Sequence, residues 1–134
     1  MKAPERRSFD RLLNQAEFLL QTKRYRMAVD HAMKALAIYP ESARPCAQIA
    51  TAMAKMKNPE AVEWAQKAIQ KDPEDAQWRA TLSNAFSTLG RWREALPPML
   101  EAVNMDPENP RFQGGMGQCL IFVDKYKEAI PFLE

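Results

Sequence analysis

The sequence predicts an all-α protein built as a helical-repeat solenoid of about four helix–turn–helix units, the last of them incomplete. Prolines recur at Pro40, Pro73 and Pro107, 33 and 34 residues apart. Small residues keep the same frame in three columns: Ala28, Ala61, Ala95 and Ala129; Ala35, Ala68 and Ala102; and Ala16, Ala50, Ser83 and Gly117. A large apolar column, Leu19, Met53, Phe86 and Leu120, follows the same steps. A fixed period of this length marks a stack of supersecondary units, none of which buries its apolar face alone.

Each unit reads as two amphipathic helices around a polar turn. The first has Leu12, Leu13, Ala16, Leu19 and Leu20 at helical spacing, then Gln21-Thr22-Lys23-Arg24, then Met27, Ala28, Ala32, Ala35 and Leu36. The same logic places helices near 9–21, 25–38, 43–56, 59–71, 76–89, 92–104, 110–122 and 126–134. One residue is missing from the turn of the second unit, Lys57-Asn58-Pro59-Glu60. There Asn58 can cap, Pro59 presets φ and Glu60 suits the positive helix end. Residues 1–8 read as a flexible basic tail, and 9–134 as one domain with repeats at about 9–42, 43–75, 76–109 and 110–134.

This pattern resembles the tetratricopeptide repeat family over residues 9 to 134. The third repeat carries the likeness best, through Leu82, Ser83, Phe86, Gly90, Trp92, Ala95, Ala102 and Pro107. Leu12, Cys46, Arg79 and Gln113 stand where the family often has an aromatic. The resemblance implies a right-handed solenoid whose first helices line a concave groove for a peptide. Carried over, the groove displays Leu13, Asn14, Glu17 and Gln21 from repeat one, and Ala47, Gln48, Thr51 and Lys55 from repeat two. Repeat three supplies Thr81, Asn84, Ser87 and Thr88, and repeat four Gln118, Ile121 and Phe122. Most are short hydrogen-bonding side chains, which suit a peptide backbone better than a strongly charged ligand. Members that grip the C-terminal carboxylate of chaperones use Lys, Asn and Arg at positions matching Leu13, Glu17, Gln48, Gln77 and Thr81. All five differ here, and Glu17 would repel a carboxylate.

Net charge is +2, too small to argue for nucleic acid. Every turn within a repeat nevertheless holds a basic pair: Arg24/Arg26, Lys55/Lys57, Arg91/Arg93 and Lys125/Lys127. In three of them the pair brackets Tyr25, Trp92 or Tyr126. Turns between repeats are acidic, with Glu41, Asp72, Glu74, Asp75, Asp106 and Glu108. Stacking would align these as a basic edge opposite an acidic one. The edge is either ordinary solvated turn surface or a device that steers an acidic partner.

No residue set points to catalysis, a metal or a cofactor, so the chain reads as a binding protein and not an enzyme. His31 is the sole histidine and has no triad arrangement. Cys46 and Cys119 have no metal-ligand spacing and lie two repeats apart, beyond disulfide reach, so they read as free thiols in a reducing compartment. Gly114-Gly115-Met116-Gly117 lacks phosphate-loop spacing. In the repeat frame Gly117 is a helix contact, and Gly114 and Gly115 face the groove, where they soften the last repeat or leave room for a ligand side chain. Trp64, Trp78 and Trp92 read as packing residues, with Trp64 alternatively an exposed anchor. The polar N-terminus is no secretory signal, and no apolar run spans a membrane, so a cytoplasmic address is expected.

Leu120, Ile121, Phe122, Phe132 and Leu133 would lack a covering helix, which predicts truncation from a longer protein or self-association through this end. The principal reading is a scaffold that holds a peptide or unstructured segment of another protein. The alternatives are a recruiting region of a longer enzyme, such as a glycosyl- or sulfotransferase, a protein similar to type III secretion chaperones, and a structural spacer.

Overall fold

A computed structural model describes the backbone over residues 2–133 and side chains over residues 2–125. Among these residues there are seven helices and no strand: α1 (Ala3–Gln21), α2 (Tyr25–Ile38), α3 (Ala43–Lys55), α4 (Ala61–Lys71), α5 (Ala76–Thr88), α6 (Trp92–Met105) and α7 (Pro110–Leu133). Helices α1/α2, α3/α4 and α5/α6 form antiparallel hairpins. Each hairpin packs on the next, through α2 on α3, α4 on α5 and α6 on α7, while α1, α3, α5 and α7 touch in succession along one side.

The small columns are where the helices meet. Ala16, Ala28, Ala50, Ala61, Ala95 and Ala102 are fully enclosed, and Ser83 sends its hydroxyl to the Ala95 carbonyl at 2.8 Å. Larger side chains fill the spaces between hairpins: Phe86, Met99 and Phe112 at one level, and Trp78 with Cys46 and Ala68 at another. Such close packing leaves little slack for added volume.

Both kinds of turn follow from single residues. Tyr39, Asp72 and Asp106 each precede a repeat proline and leave the helical region (φ −135°, −147° and −143°), which ends α2, α4 and α6. Inside the repeats the chain reverses through a left-handed residue: Lys23 (φ 63°), Lys57 (φ 61°) and Gly90 (φ 82°). The residue after each donates its N–H five positions back, Arg24 to Leu19, Asn58 to Met53 and Arg91 to Phe86, closing a Schellman turn.

Three expectations need correction. Residues 3–8 are not a tail but the first turns of α1. Pro4 is tolerated there, Glu5 suits the positive helix end, and nothing between Pro4 and Phe9 breaks the helix. Phe9 is buried and meets Tyr39 edge-to-face with ring centroids 5.9 Å apart. Helix α4 starts at Ala61 because Asn58 and Pro59 close the turn first, with Asn58 Oδ1 accepting from the Glu60 N–H. The fourth repeat does not turn near residue 124; α7 runs straight through it.

Candidate functional site

Helices α1, α3, α5 and α7 present one face to a concave groove. Its larger part is a cavity of about 800 Å³ bounded by Glu17 and Gln21 of α1, Arg44, Gln48 and Thr51 of α3, Gln77, Trp78, Thr81 and Asn84 of α5, and Arg111 of α7. A second cavity of about 490 Å³ continues it past the shared Thr51, Thr81 and Asn84 to Lys55, Lys57, Ser87, Thr88, Trp92 and Gln118. Of the fifteen groove residues expected from the sequence, eleven border this continuous surface.

The other four do not. Leu13 is buried against Phe9 and Ala35, and only its carbonyl reaches a groove residue. Asn14 lies around the helix, beside Phe18, Met27 and His31 in a separate depression at the N-terminal end of the stack. Each residue along a helix turns its side chain by about 100°, so neighbours in sequence part company between the core face and the groove face. Ile121 is exposed outside both cavities and Phe122 stacks flat on Trp92 at 4.0 Å between centroids, whereas Ala47 is buried yet borders the larger cavity. Gly115 does not face the groove: a β-carbon there would sit 2.6 Å from the end of the Met99 side chain, so its smallness lets α7 approach α6.

Gln48 is the most constrained groove residue. Its carboxamide is buried, and Nε2 donates to the Leu13 carbonyl at 2.9 Å, bridging repeats one and two. Oε1 has no partner. Thr51 and Thr81 turn their hydroxyls back to the Ala47 and Gln77 carbonyls, both at 3.0 Å, and Ser87 does so to Asn84. Each hydroxyl oxygen keeps acceptor capacity for a ligand N–H. Asn84 is exposed and central to both cavities. Arg44 and Arg111, at the starts of α3 and α7, border the larger cavity and were not anticipated. Each follows the first residue of its repeat, a position whose side the periodicity leaves ambiguous.

The basic residues gather more narrowly than a continuous edge. Lys55 and Lys57 flank Trp92 from the groove side, while Arg91, Arg93 and Lys125 surround it from the other. Lys57 Nζ donates to the Thr88 carbonyl at 2.6 Å, tying turn two to α5. Arg91 forms a two-pronged pair with Glu94, at 2.8 and 2.6 Å. That pairing raises the Arg91 pKa and lowers that of Glu94. Arg24 and Arg26 are exposed on the first turn. The Lys127 side chain lies outside the described residues, as do those of Phe132 and Leu133.

The remaining singled-out residues are structural. Trp64 is half-buried between two core clusters, with Lys67 Nζ 4.1 Å above its ring. Trp78 is buried and donates to Asp72 at 3.2 Å. His31 is held to the Met27 carbonyl at 2.9 Å. Both cysteines are free and buried, and burial pushes the Cys46 thiol up, outweighing the opposing pull of Lys71 and Lys67.

Neither a protein-family profile nor a curated protein matches the sequence. Solved structures do match the backbone. A Thermobaculum terrenum O-GlcNAc transferase superposes with a TM-score of 0.79 at 17% identity, over 90% of this chain and 23% of that one. The Sgt2 TPR domain from Aspergillus fumigatus gives 0.78 at 19% identity, over 90% and 82%. The second TPR domain of human RPAP3, in complex with an HSP70 peptide, gives 0.73 at 18% identity, over 86% and 97%. The chain has the tetratricopeptide-repeat fold. Within this TPR fold the first helix of every repeat faces the groove, which accounts for Gln48, Thr51, Thr81, Asn84 and Gln118 sharing one surface. The transferase differs in extent, since the chain spans under a quarter of it. Among the described residues no helix is long and apolar enough to cross a membrane.

Proposed function

We propose that this TPR domain is a non-catalytic scaffold that holds an extended segment of a partner protein in its concave groove. The observation that carries the reading is the continuity of the two cavities across all four repeats, lined by short polar side chains and centred on Asn84 and Thr51. Alternating hydroxyl and carboxamide groups can pair with the N–H and C=O groups of an extended backbone. The RPAP3 domain, of the same fold and in complex with an HSP70 peptide, supports this reading. A chaperone-type terminal carboxylate is not the ligand proposed, since Glu17 borders the larger cavity where a clamp would need positive charge.

The test is fluorescence-anisotropy screening of a random-peptide library against wild type and the double variant Thr51→Glu/Asn84→Glu. Peptides selected on wild type should lose at least about tenfold in affinity on the double variant, from two unpaired charges placed in the contact. Equal binding to both proteins would reject the groove. The transferase superposition supports a second reading, in which the same groove recruits substrates for an enzyme in the same polypeptide. Peptides chosen by the groove would then also be modified by the full-length protein.

A further inference from the structure

The first three repeats show what each repeat position does, and the fourth departs from them in one place. The small column is sealed in repeats one to three: Ala16, Ala50 and Ser83 are at most 1% exposed, as are Ala28, Ala61 and Ala95 of the second helices, and Ser83 bonds the Ala95 carbonyl directly. Its fourth member, Gly117, has nothing within 4 Å of the place a β-carbon would occupy. The large column behaves likewise. Leu19 and Phe86 are 6% and 8% exposed, while Leu120 is 43% and the adjacent Ile121 56%. A face built to take a second helix is open.

The helix that fits this face is present in the sequence but displaced. Ala129 stands in register with Ala28, Ala61 and Ala95, twelve residues after Gly117. Because α7 is one continuous helix, these two positions lie about 18 Å apart along its axis, so the second half of α7 cannot cover its own first half. The hinge is also legible. The left-handed residues Lys23, Lys57 and Gly90 fall in one column whose fourth member is Asp124. The segment Val123-Asp124-Lys125 has no glycine or proline to force a turn, and so accepts helix as readily. Just before it, α7 is anchored by buried Val123 and by the Phe122 stack on Trp92.

We propose that two copies of this chain exchange the second half of α7, so that residues 126–133 of each cover Gly117 and Leu120 of the other. A straightened hinge beside a vacant site for the displaced segment is the geometry of domain swapping, a low-cost route to a closed two-fold dimer. The exchange uses a face other than the peptide groove and stands independently of the proposed function.

Sedimentation equilibrium of the intact chain from 1 to 500 µM tests it. Wild type should reach a dimer and stop there. Asp124→Gly, which removes the cost of a left-handed turn at about tenfold per hinge, should let each chain close on itself and weaken dimerisation by about a hundredfold. Ala129→Glu should abolish the dimer while leaving the melting of repeats one to three unchanged. Three results would overturn the proposal: a wild-type monomer throughout, open-ended assembly beyond two copies, or a dimer that ignores both substitutions.

Discussion

Lys23 and Lys57 hold left-handed backbones that L side chains disfavour, whereas Gly90 meets the same demand without a β-carbon. Opposite outcomes follow from one mechanism. Lys23→Gly should stabilise the fold by about 1 kcal/mol and Gly90→Ala destabilise it by about 1–2 kcal/mol, read as shifts in the urea midpoint. Cys46 offers a pH prediction. Burial raises its thiol pKa above the ordinary 9.0, so the folded state favours the neutral thiol. The resulting contribution to stability is complete below pH 9.0 and is lost as pH climbs through the raised value. At pH 8, iodoacetamide should therefore alkylate Cys46 at least about tenfold more slowly than an unfolded control, since the thiolate is the nucleophile; equal rates by peptide mass mapping would contradict its burial.

At the scale of elements, the sequence pattern located the five helices α2 to α6 closely and misjudged the two ends. The N-terminal turns of α1 were hidden because residues 3–8 bury almost nothing, and periodicity detects only helices that have an apolar face. α6 contains a feature that periodicity also passes over: Pro97 and Pro98 lie inside it. Neither ring nitrogen can donate to the preceding turn, yet the helix persists because Ala95, Met99 and Ala102 are packed into the core. Pro97 is exposed, so Pro97→Ala should restore one helical hydrogen bond and raise stability by about 1–3 kcal/mol, visible as a higher melting temperature. An unchanged or lower temperature would mean that Pro97 acts mainly by restricting the unfolded chain.

For the molecule as a whole, basic residues crowd around Trp92 at one end of the groove, while Asp72, Glu74, Asp75 and Asp106 share a depression at the turns between repeats. If the basic cluster steers an acidic partner, raising salt from 50 to 500 mM should slow association of a groove-selected acidic peptide by about tenfold with little change in dissociation. Stopped-flow rates indifferent to salt would leave these cations the role of holding turns together, as Lys57 does at the Thr88 carbonyl and Arg91 with Glu94.

The sequence alone determined the repeat, its register and the turns of the first three repeats, because the proline and alanine columns act locally or between adjacent helices at a fixed spacing. That register also brings eleven of the fifteen expected groove positions onto one surface. Tertiary structure decided the rest. Leu13 is core and Glu17 is groove through a modest rotation of α1 set by α2 and α3, and Gly115 is small because Met99 lies against it. Asp124 continues a helix where Gly90 turns, since neither conformation is imposed by the local residues and the choice falls to whichever surface the following helix covers.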